Sequence, residues 1–440
     1  MSGAEATNGS GLVVGRYVLY DEIAAGGMAT IHIGRMLGEI GFTRPVAVKR
    51  LLPQFARDPE FVSMFLEEAR LAARIRHPNV VQVLDVVREE SANELFLVME
   101  FIQGETVTRL TRVTRKRARI VPMSIALAIA SDLLQGLHAA HEAKDEIGRP
   151  LEIVHRDVSP HNVIVGNDGV ARVLDFGIAK ASSSSQSTRE GEVKGKFAYM
   201  APEQLSSVTL DRRADVFAAS IVLWEMLTGG RLFQAPDPAA IVGRVLNGRI
   251  APPSELAQGI PAQLDALVMH GLERDRDKRF ATAAEMARAI ESLGIPIART
   301  IEVGTWVNRI AGDTLKKRAR RIAEIESTGS FSASNALAAA KSISQRPIPV
   351  GDNTGSGSRS GLRVSRGAVT SSQQVALPDD VQVDLDDDEM PLPLPQAQPA
   401  PKKSRGGRGW VLCLLALAGG AGAFLYRAGG VAPAKAKIAS

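Results

Sequence analysis

The sequence predicts an α+β fold, and three observations carry that prediction. Strand patterns joined by short turns recur at 23–34, 46–50 and 163–175. An amphipathic helix pattern occupies 61–76. The alternation of apolar periodicity, turns and charges that marks a packed domain runs from about Tyr17 to Leu293 and then stops. At 45% apolar and 23% charged residues the chain suits a globular core, and its 440 residues leave room for two or three domains. A net charge of +5 is small for this length, so no nucleic-acid partner is expected. The single Cys413 rules out an internal disulfide framework and fits a reducing compartment. The start, MSGAEATNGSGLVVG, has no basic region followed by an apolar run, so no signal peptide is expected.

Taken in chain order, IAAGGMATIHIG (23–34) reads as strand, Gly-rich turn, strand. That shape can cover a phosphate, although alone it marks only a hairpin. In VAVKR (46–50), alternation puts Ala47 and Lys49 on one face and Val46 and Val48 on the other. A lysine beside a small residue could hold phosphates beneath a flat ring; a lone strand lysine is usually just exposed. In the 61–76 helix the apolar stripe is Phe61, Phe65, Ala72, Ile75, and Glu68 falls inside it while Glu67 does not. A carboxylate on a buried face needs a partner, and Lys49 is the natural candidate. Further on, IVHRDVSPHNVIV (153–165) leads into a strand, a turn at NDG (167–169) and a second strand, VARVLD. A hairpin folded there sets residue 162 opposite about residue 174. Asn162 and Asp175 should then lie side by side, with Asp157 one loop away. Two oxygen ligands at one point suit Mg²⁺, which completes its shell with phosphates and water; the bland alternative is an Asn and an Asp capping loops.

Residues 296–327 look helical, with Val303, Trp306, Val307 and Ile310 on one face, followed by KKRARR (316–321). That run could bind an acidic surface, but a solvated helix face is the favoured reading. From 330 to 409 Ser, Gly, Pro and Gln dominate, with an acidic block DDVQVDLDDDE at 379–389. This reads as a disordered linker, too poor in apolar surface to offset the cost of ordering. Then WVLCLLALAGGAGAFLY (410–426) carries no charge and has aromatic ends. Lys402, Lys403, Arg405 and Arg408 precede it and Arg427 follows. It reads as one membrane-spanning helix with the N-terminal bulk in the cytoplasm and a short tail at 427–440. Gly419 and Ala423 are spaced for close helix contact, which leaves a homodimer open.

These motifs, in this order, resemble the eukaryotic-like (Hanks-type) serine/threonine protein kinases. The residues that carry the resemblance are VAVK, Glu68, LVMEF (97–101), HRDVSPHN, DFG, AYMAPE (198–203) and RDKRF (276–280), and they span about 17–293. GGMAT, HPNVV (77–81) and the apolar tail make the chain similar to bacterial members, those of myxobacteria among them. The resemblance implies a two-lobed protein kinase fold, with a small β-rich N-lobe and a larger helical C-lobe, then the linker and the membrane helix. It implies ATP and Mg²⁺ (Mn²⁺ as an alternative) as cofactors, protein substrates, and a place at a bacterial cytoplasmic membrane.

The same resemblance assigns roles. Ile23, Ala24, Ala25, Gly26, Gly27, Met28, Ala29, Thr30 and Ile31 would cover the ATP phosphates. Lys49, beside Ala47 and fixed by Glu68, would bind the α- and β-phosphates, and Glu100 and Phe101 would lie at the adenine edge. Asp157 would orient the substrate hydroxyl, and Asn162 and Asp175 would hold the metal. Glu203 with Arg279, and Asp215, would brace the larger lobe and the catalytic loop. Arg156 would pair with a phosphate on the Ser-rich segment 182–188.

Three departures stand out. Ala24 and Ala29 replace two usual glycines, losing the freedom to take positive φ. Ser159 stands where a lysine is usual, and Lys196 where a threonine is usual. Lys196 could therefore supply the charge that Ser159 lacks, or be exposed and contact peptide or solvent. The rivals to an active serine/threonine kinase are a pseudokinase scaffold, a tyrosine-specific kinase and a membrane-tethered interaction protein working through the linker.

Overall fold

The structure is a computed structural model; it describes residues 11–38, 42–89, 92–176, 195–206 and 209–344, with side chains up to 326 in the last helix. The N-terminal part follows from strand alternation. Strands β1 (Leu12–Val14), β2 (Tyr17–Ala25), β3 (Ala29–Leu37), β4 (Thr43–Leu51), β5 (Val83–Glu89) and β6 (Glu94–Glu100) form one antiparallel sheet in the order β1-β2-β3-β4-β6-β5. Val14, Tyr17, Leu19, Val46, Val48, Phe96 and Val98 make a small core of their own. The alternate positions on β4 and β6, among them Leu51, Leu95, Leu97 and Met99, join the main core together with helix α1 (Pro59–Arg74).

Helix α1 begins two residues earlier than its apolar stripe. Asp58 accepts a hydrogen bond from the Glu60 amide at 2.9 Å, and Pro59 occupies the first turn, where no amide proton is needed. Phe65, Glu68 and Ala72 are buried and Glu67 is exposed, as the stripe requires. Ile75 is buried just past the end of the helix.

Strands β7 (Gly104–Thr106), β8 (Val163–Gly166) and β9 (Ala171–Val173) form a second antiparallel sheet. Val163 pairs with Val173, and the Leu174 amide donates to the Asn162 carbonyl at 2.9 Å. Residue 162 thus stands opposite 174, in the register that the NDG turn dictates.

The larger lobe contains α2 (Val107–Lys116), α3 (Met123–His141), α4 (Pro202–Leu205), α5 (Arg213–Thr228), α6 (Pro238–Asn247), α7 (Ala262–Gly271) and α8 (Ala283–Ser292). Helices α3 and α5 are apolar on nearly every face and lie in the middle of the core. Among the described residues α3 is long and apolar enough to cross a membrane, but two thirds of it is buried inside the protein, so it is a core helix.

Helix α9 (Thr300–Ser344) starts later than the 296 expected and runs on past 327 into the segment assigned to the linker. Val303, Trp306 and Val307 are buried, as the periodicity indicates. The reading of KKRARR as a purely solvated face is corrected: Arg318 and Arg321 both reach other elements. The rest of the linker, the expected membrane helix at 410–426, the tail at 427–440 and the Ser-rich 182–188 lie outside the described residues.

Candidate active site

Strands β2 and β3 fold back on each other at Gly26–Met28. Ala24 pairs with Ile31 and Ala25 with Thr30, and the Gly26 amide donates to the Ala29 carbonyl at 2.9 Å. Ala24 and Ala29 sit on these strands and neither has a positive φ. The lost freedom to take positive φ therefore costs no backbone strain here, because extended backbone suits alanine as well as glycine.

Lys49 stands on β4 between Ile31 of β3 and Leu97 of β6, which places it next to the hairpin. Its Nζ donates to Glu68 Oε1 at 3.0 Å and to Asp175 Oδ1 at 3.0 Å. Glu68 is thus partnered as its place on the buried stripe demanded. Burial alone would lower the Lys49 pKa, but Asp175 and Glu68 outweigh it and hold the pKa above the ordinary lysine value. The ammonium stays charged throughout the neutral range.

The loop 155–162 is held from below. The Asp215 carboxylate on α5 accepts from the His155 amide at 2.8 Å and the Arg156 amide at 2.9 Å, and it meets His141 Nε2 of α3 at 2.7 Å. Burial pushes the Asp215 pKa up; His141 first, and then His155 with its amide, more than offset it and leave it below the usual carboxylate range. Two consecutive amides turned onto one carboxylate accompany a left-handed φ of 64° at Arg156. His155 Nδ1 receives the Asp157 amide at 3.2 Å, so the ring proton lies on Nε2, which reaches the Leu174 carbonyl at 2.9 Å. The His155 ring also packs against Phe176, with centroids 4.9 Å apart.

Asn162 is the last residue of a 3₁₀ turn, Pro160–Asn162, whose N-cap is Ser159. Its Nδ2 donates to the Asp157 carbonyl at 2.8 Å and to Asp157 Oδ2 at 2.9 Å. The amide nitrogen is committed, so the oxygen is what Asn162 can offer a ligand. Asp175, just beyond β9, has φ 41°, in the left-handed region, and a side chain about one third exposed. Among the described residues no group of three or more His, Cys, Asp or Glu could cage a metal ion. An Asn oxygen and one Asp suit instead a cation that takes most of its ligands from phosphate and water, and the donor set fits Mg²⁺.

Glu100 accepts the Gln82 amide on its carboxylate at 2.8 Å and donates its own amide to the Gln82 carbonyl at 3.0 Å; Phe101 is half-buried. Arg279 grips Glu203 with two bonds, at 2.7 and 2.8 Å, fully inside the larger lobe. Gln204 donates to the Arg156 carbonyl at 3.0 Å, tying the segment after Lys196 to the loop. Tyr199 is locked by Glu225 at 2.7 Å and by Arg231, and burial first, then Glu225, raises its pKa well above the ordinary value. Sequence reasoning missed three contacts: Lys49 to Asp175, His141 to Asp215, and Tyr199 to Glu225. Each joins elements far apart in the chain, and no local periodicity marks them.

The model of the protein kinase domain matches residues 20–289. The chain belongs to the protein kinase domain family. Tyrosine-protein kinase MasK of Myxococcus xanthus is 42% identical over 278 residues, which span 63% of this chain and 43% of MasK. Serine/threonine-protein kinase PknB of Mycobacterium leprae is 36% identical, spanning 62% of this chain and 42% of PknB. A probable serine/threonine-protein kinase of Clostridium acetobutylicum is 34% identical, spanning 62% of this chain and 39% of its own length. The chain thus spans less than half of these curated relatives. The crystal structure of the PknI kinase domain of Mycobacterium tuberculosis aligns with a TM-score of 0.48 and 23% identity, covering 64% of this chain and 98% of that one. The kinase domain accounts for the two-lobed fold and for a cleft built for ATP and a divalent cation.

Proposed function

We propose that this chain is a serine/threonine protein kinase that transfers the γ-phosphate of ATP to protein hydroxyls with Mg²⁺. The observation that carries the reading is that Lys49 is paired at once with Glu68 and Asp175, while Asn162 is bonded to Asp157. These residues supply what phosphotransfer needs in a phosphate-holding lysine, oxygen ligands for a metal and a carboxylate to orient the hydroxyl.

In this reading residues 23–31 lie over the phosphates and Lys49 holds the α- and β-oxygens. Asp157 orients the substrate hydroxyl and accepts its proton, and its carboxylate is fixed for that task by Asn162. Asn162 and Asp175 would hold Mg²⁺, which when bound neutralises the phosphate charge. Positioning and charge neutralisation carry the rate, since little covalent work falls to the protein. The test is autophosphorylation, and phosphorylation of a generic basic protein, by the full chain with labelled ATP and Mg²⁺. Asp157→Ala and Lys49→Ala serve as controls, and absence of label in the parent protein would favour the pseudokinase reading.

Lys196 is the candidate for the charge that Ser159 lacks. Its carbonyl accepts from the Tyr199 amide at 3.1 Å, and Tyr199 is anchored in the larger lobe. The backbone at Lys196 is therefore set by the same lobe that holds Asp157. Lys196→Ala should lower phosphotransfer at least tenfold, and Ser159→Lys in that background should restore part of it; unchanged turnover in Lys196→Ala would discard the assignment. The name of MasK supports a second reading, a tyrosine specificity. Phosphoamino-acid analysis of the product separates the two.

Arg156 supports activation by phosphorylation, since its buried Nε has no hydrogen-bond partner among the described residues. The uncharged stretch 410–426, with basic residues on both flanks, supports a single membrane span with the kinase domain on the cytoplasmic side, and the Gly419/Ala423 spacing supports pairing of two such helices. Recovery of the full chain in the soluble fraction would refute the anchor.

A further inference from the structure

Helix α9 lies beyond the part of the chain that the kinase family model matches, yet it is bonded to both lobes. Its first half is embedded in the larger lobe, where Val303, Trp306, Val307, Ala311 and Leu315 are buried in the main core. There it packs backbone to backbone on the turn between β8 and β9. A Cβ on Gly304 would fall 2.5 Å from the Asn167 carbonyl, and one on Gly169 would fall 1.8 Å from the Thr300 carbonyl. The helix is thus seated on the hairpin whose open end carries Asn162 and Asp175.

Farther along, Arg318 donates to the Gly104 carbonyl at 3.0 Å and lies 3.5 Å from the buried Glu105. These residues immediately follow the chain connection between the lobes. The helix then reaches the smaller lobe. Arg321 forms a two-bond ion pair with Asp21. Arg35, itself buried, donates to the Ile325 carbonyl at 3.1 Å. Ile322 and Ile325 line one small cavity together with Ile33 and Pro45. Asp21 is on β2, two residues before Ile23, and Ile33 and Arg35 are on β3, just after Ile31. One rigid helix therefore holds both strands of the phosphate-covering hairpin at one end and the metal-site hairpin at the other.

We propose that α9 is a second connection between the lobes that sets the height and tilt of the hairpin 23–31 over Lys49, with Arg321 and Ile325 as positioning residues for ATP. The proposal rests on the nucleotide-binding reading of the cleft. Neither residue touches the nucleotide. They act by fixing strands β2 and β3, so their loss should weaken ATP binding and leave the protein-substrate site alone.

The experiment uses the full chain and reads two quantities. ATP–Mg²⁺ affinity is measured by calorimetric titration, which needs no turnover, and KM for ATP and for a protein substrate is measured separately. Arg321→Glu places a like charge against Asp21. For a half-exposed pair this should weaken ATP binding about threefold to fivefold. Asp21→Arg added to Arg321→Glu should restore it. Ile325→Asp, which buries a charge against β3, should weaken it more than tenfold. KM for the protein substrate should stay unchanged in each. Unchanged ATP affinity in both Arg321→Glu and Ile325→Asp would overturn the proposal. So would an equal loss in both KM values that the charge swap does not rescue. A parent chain that binds no ATP would overturn the nucleotide reading itself, an outcome distinct from the others because it precedes any substitution.

Discussion

Replacing Lys49 by methionine removes a charge and keeps most of the bulk, and the structure sets the scale of the result. Nζ lies 3.0 Å from a Glu68 oxygen and 3.0 Å from an Asp175 oxygen, so without it those oxygens face each other across no more than about 6 Å. Two unit charges at that distance, with an effective dielectric constant of about 20, repel by about 3 kcal/mol. Asp175 is one third exposed and can turn toward water, which reduces the expected penalty to about 1–2 kcal/mol. For a domain of this size that corresponds to a fall in melting temperature of about 2–4 °C. The assay is thermal unfolding of the nucleotide-free full chain at pH 7. Glu68→Gln in the Lys49→Met background should raise the melting temperature again, although on its own it removes an ion-pair partner. If the single and double variants melt together at pH 7, Lys49 is not what reconciles these two acids.

Three further outcomes follow from the same geometry. Asp157→Asn should lower kcat for phosphotransfer by about 10²–10⁴-fold with ATP affinity retained, measured with labelled ATP and by titration. Arg279→Met strands a buried Glu203 and should destabilise the larger lobe by about 3–5 kcal/mol in urea unfolding, while Glu203→Gln together with Arg279→Met should cost less than Arg279→Met alone. Because the Asp215 pKa is depressed on folding, its ionised form contributes stability above the usual carboxylate range and loses it as pH falls through the folded value. The stability gap between the parent chain and Asp215→Asn should therefore be full at pH 7 and close below about pH 4.

Much of the site could be read in the chain because its parts obey short-range rules. The NDG turn sets the register of the β8–β9 hairpin, and that register alone puts Asn162 opposite residue 174. The 3.6-residue stripe of α1 turns Glu68 inward and Glu67 outward before any partner is known. Alternation on β4 separates Lys49 from the valines that flank it. The substitutions at Ala24 and Ala29 were legible too, but their consequence was not. Whether a glycine position needs a positive φ depends on the hairpin's pairing, and here both positions are extended strand.

The sequence by itself determined the element types, the hairpin register and the inward carboxylate, because hydrogen-bond periodicity and side-chain alternation act within a few residues. Beyond the Lys49–Glu68 and Arg279–Glu203 pairs, only the tertiary structure decided which charges meet. Lys49 and Asp175 are 126 residues apart, and Arg321 and Asp21 are 300 apart. A basic run such as KKRARR has the same composition whether it faces water or grips another element. What selects its partner is the seat of α9 in the larger lobe, fixed by Trp306, Val307 and the glycine contact at 304, which carries Arg321 and Ile325 to the smaller lobe.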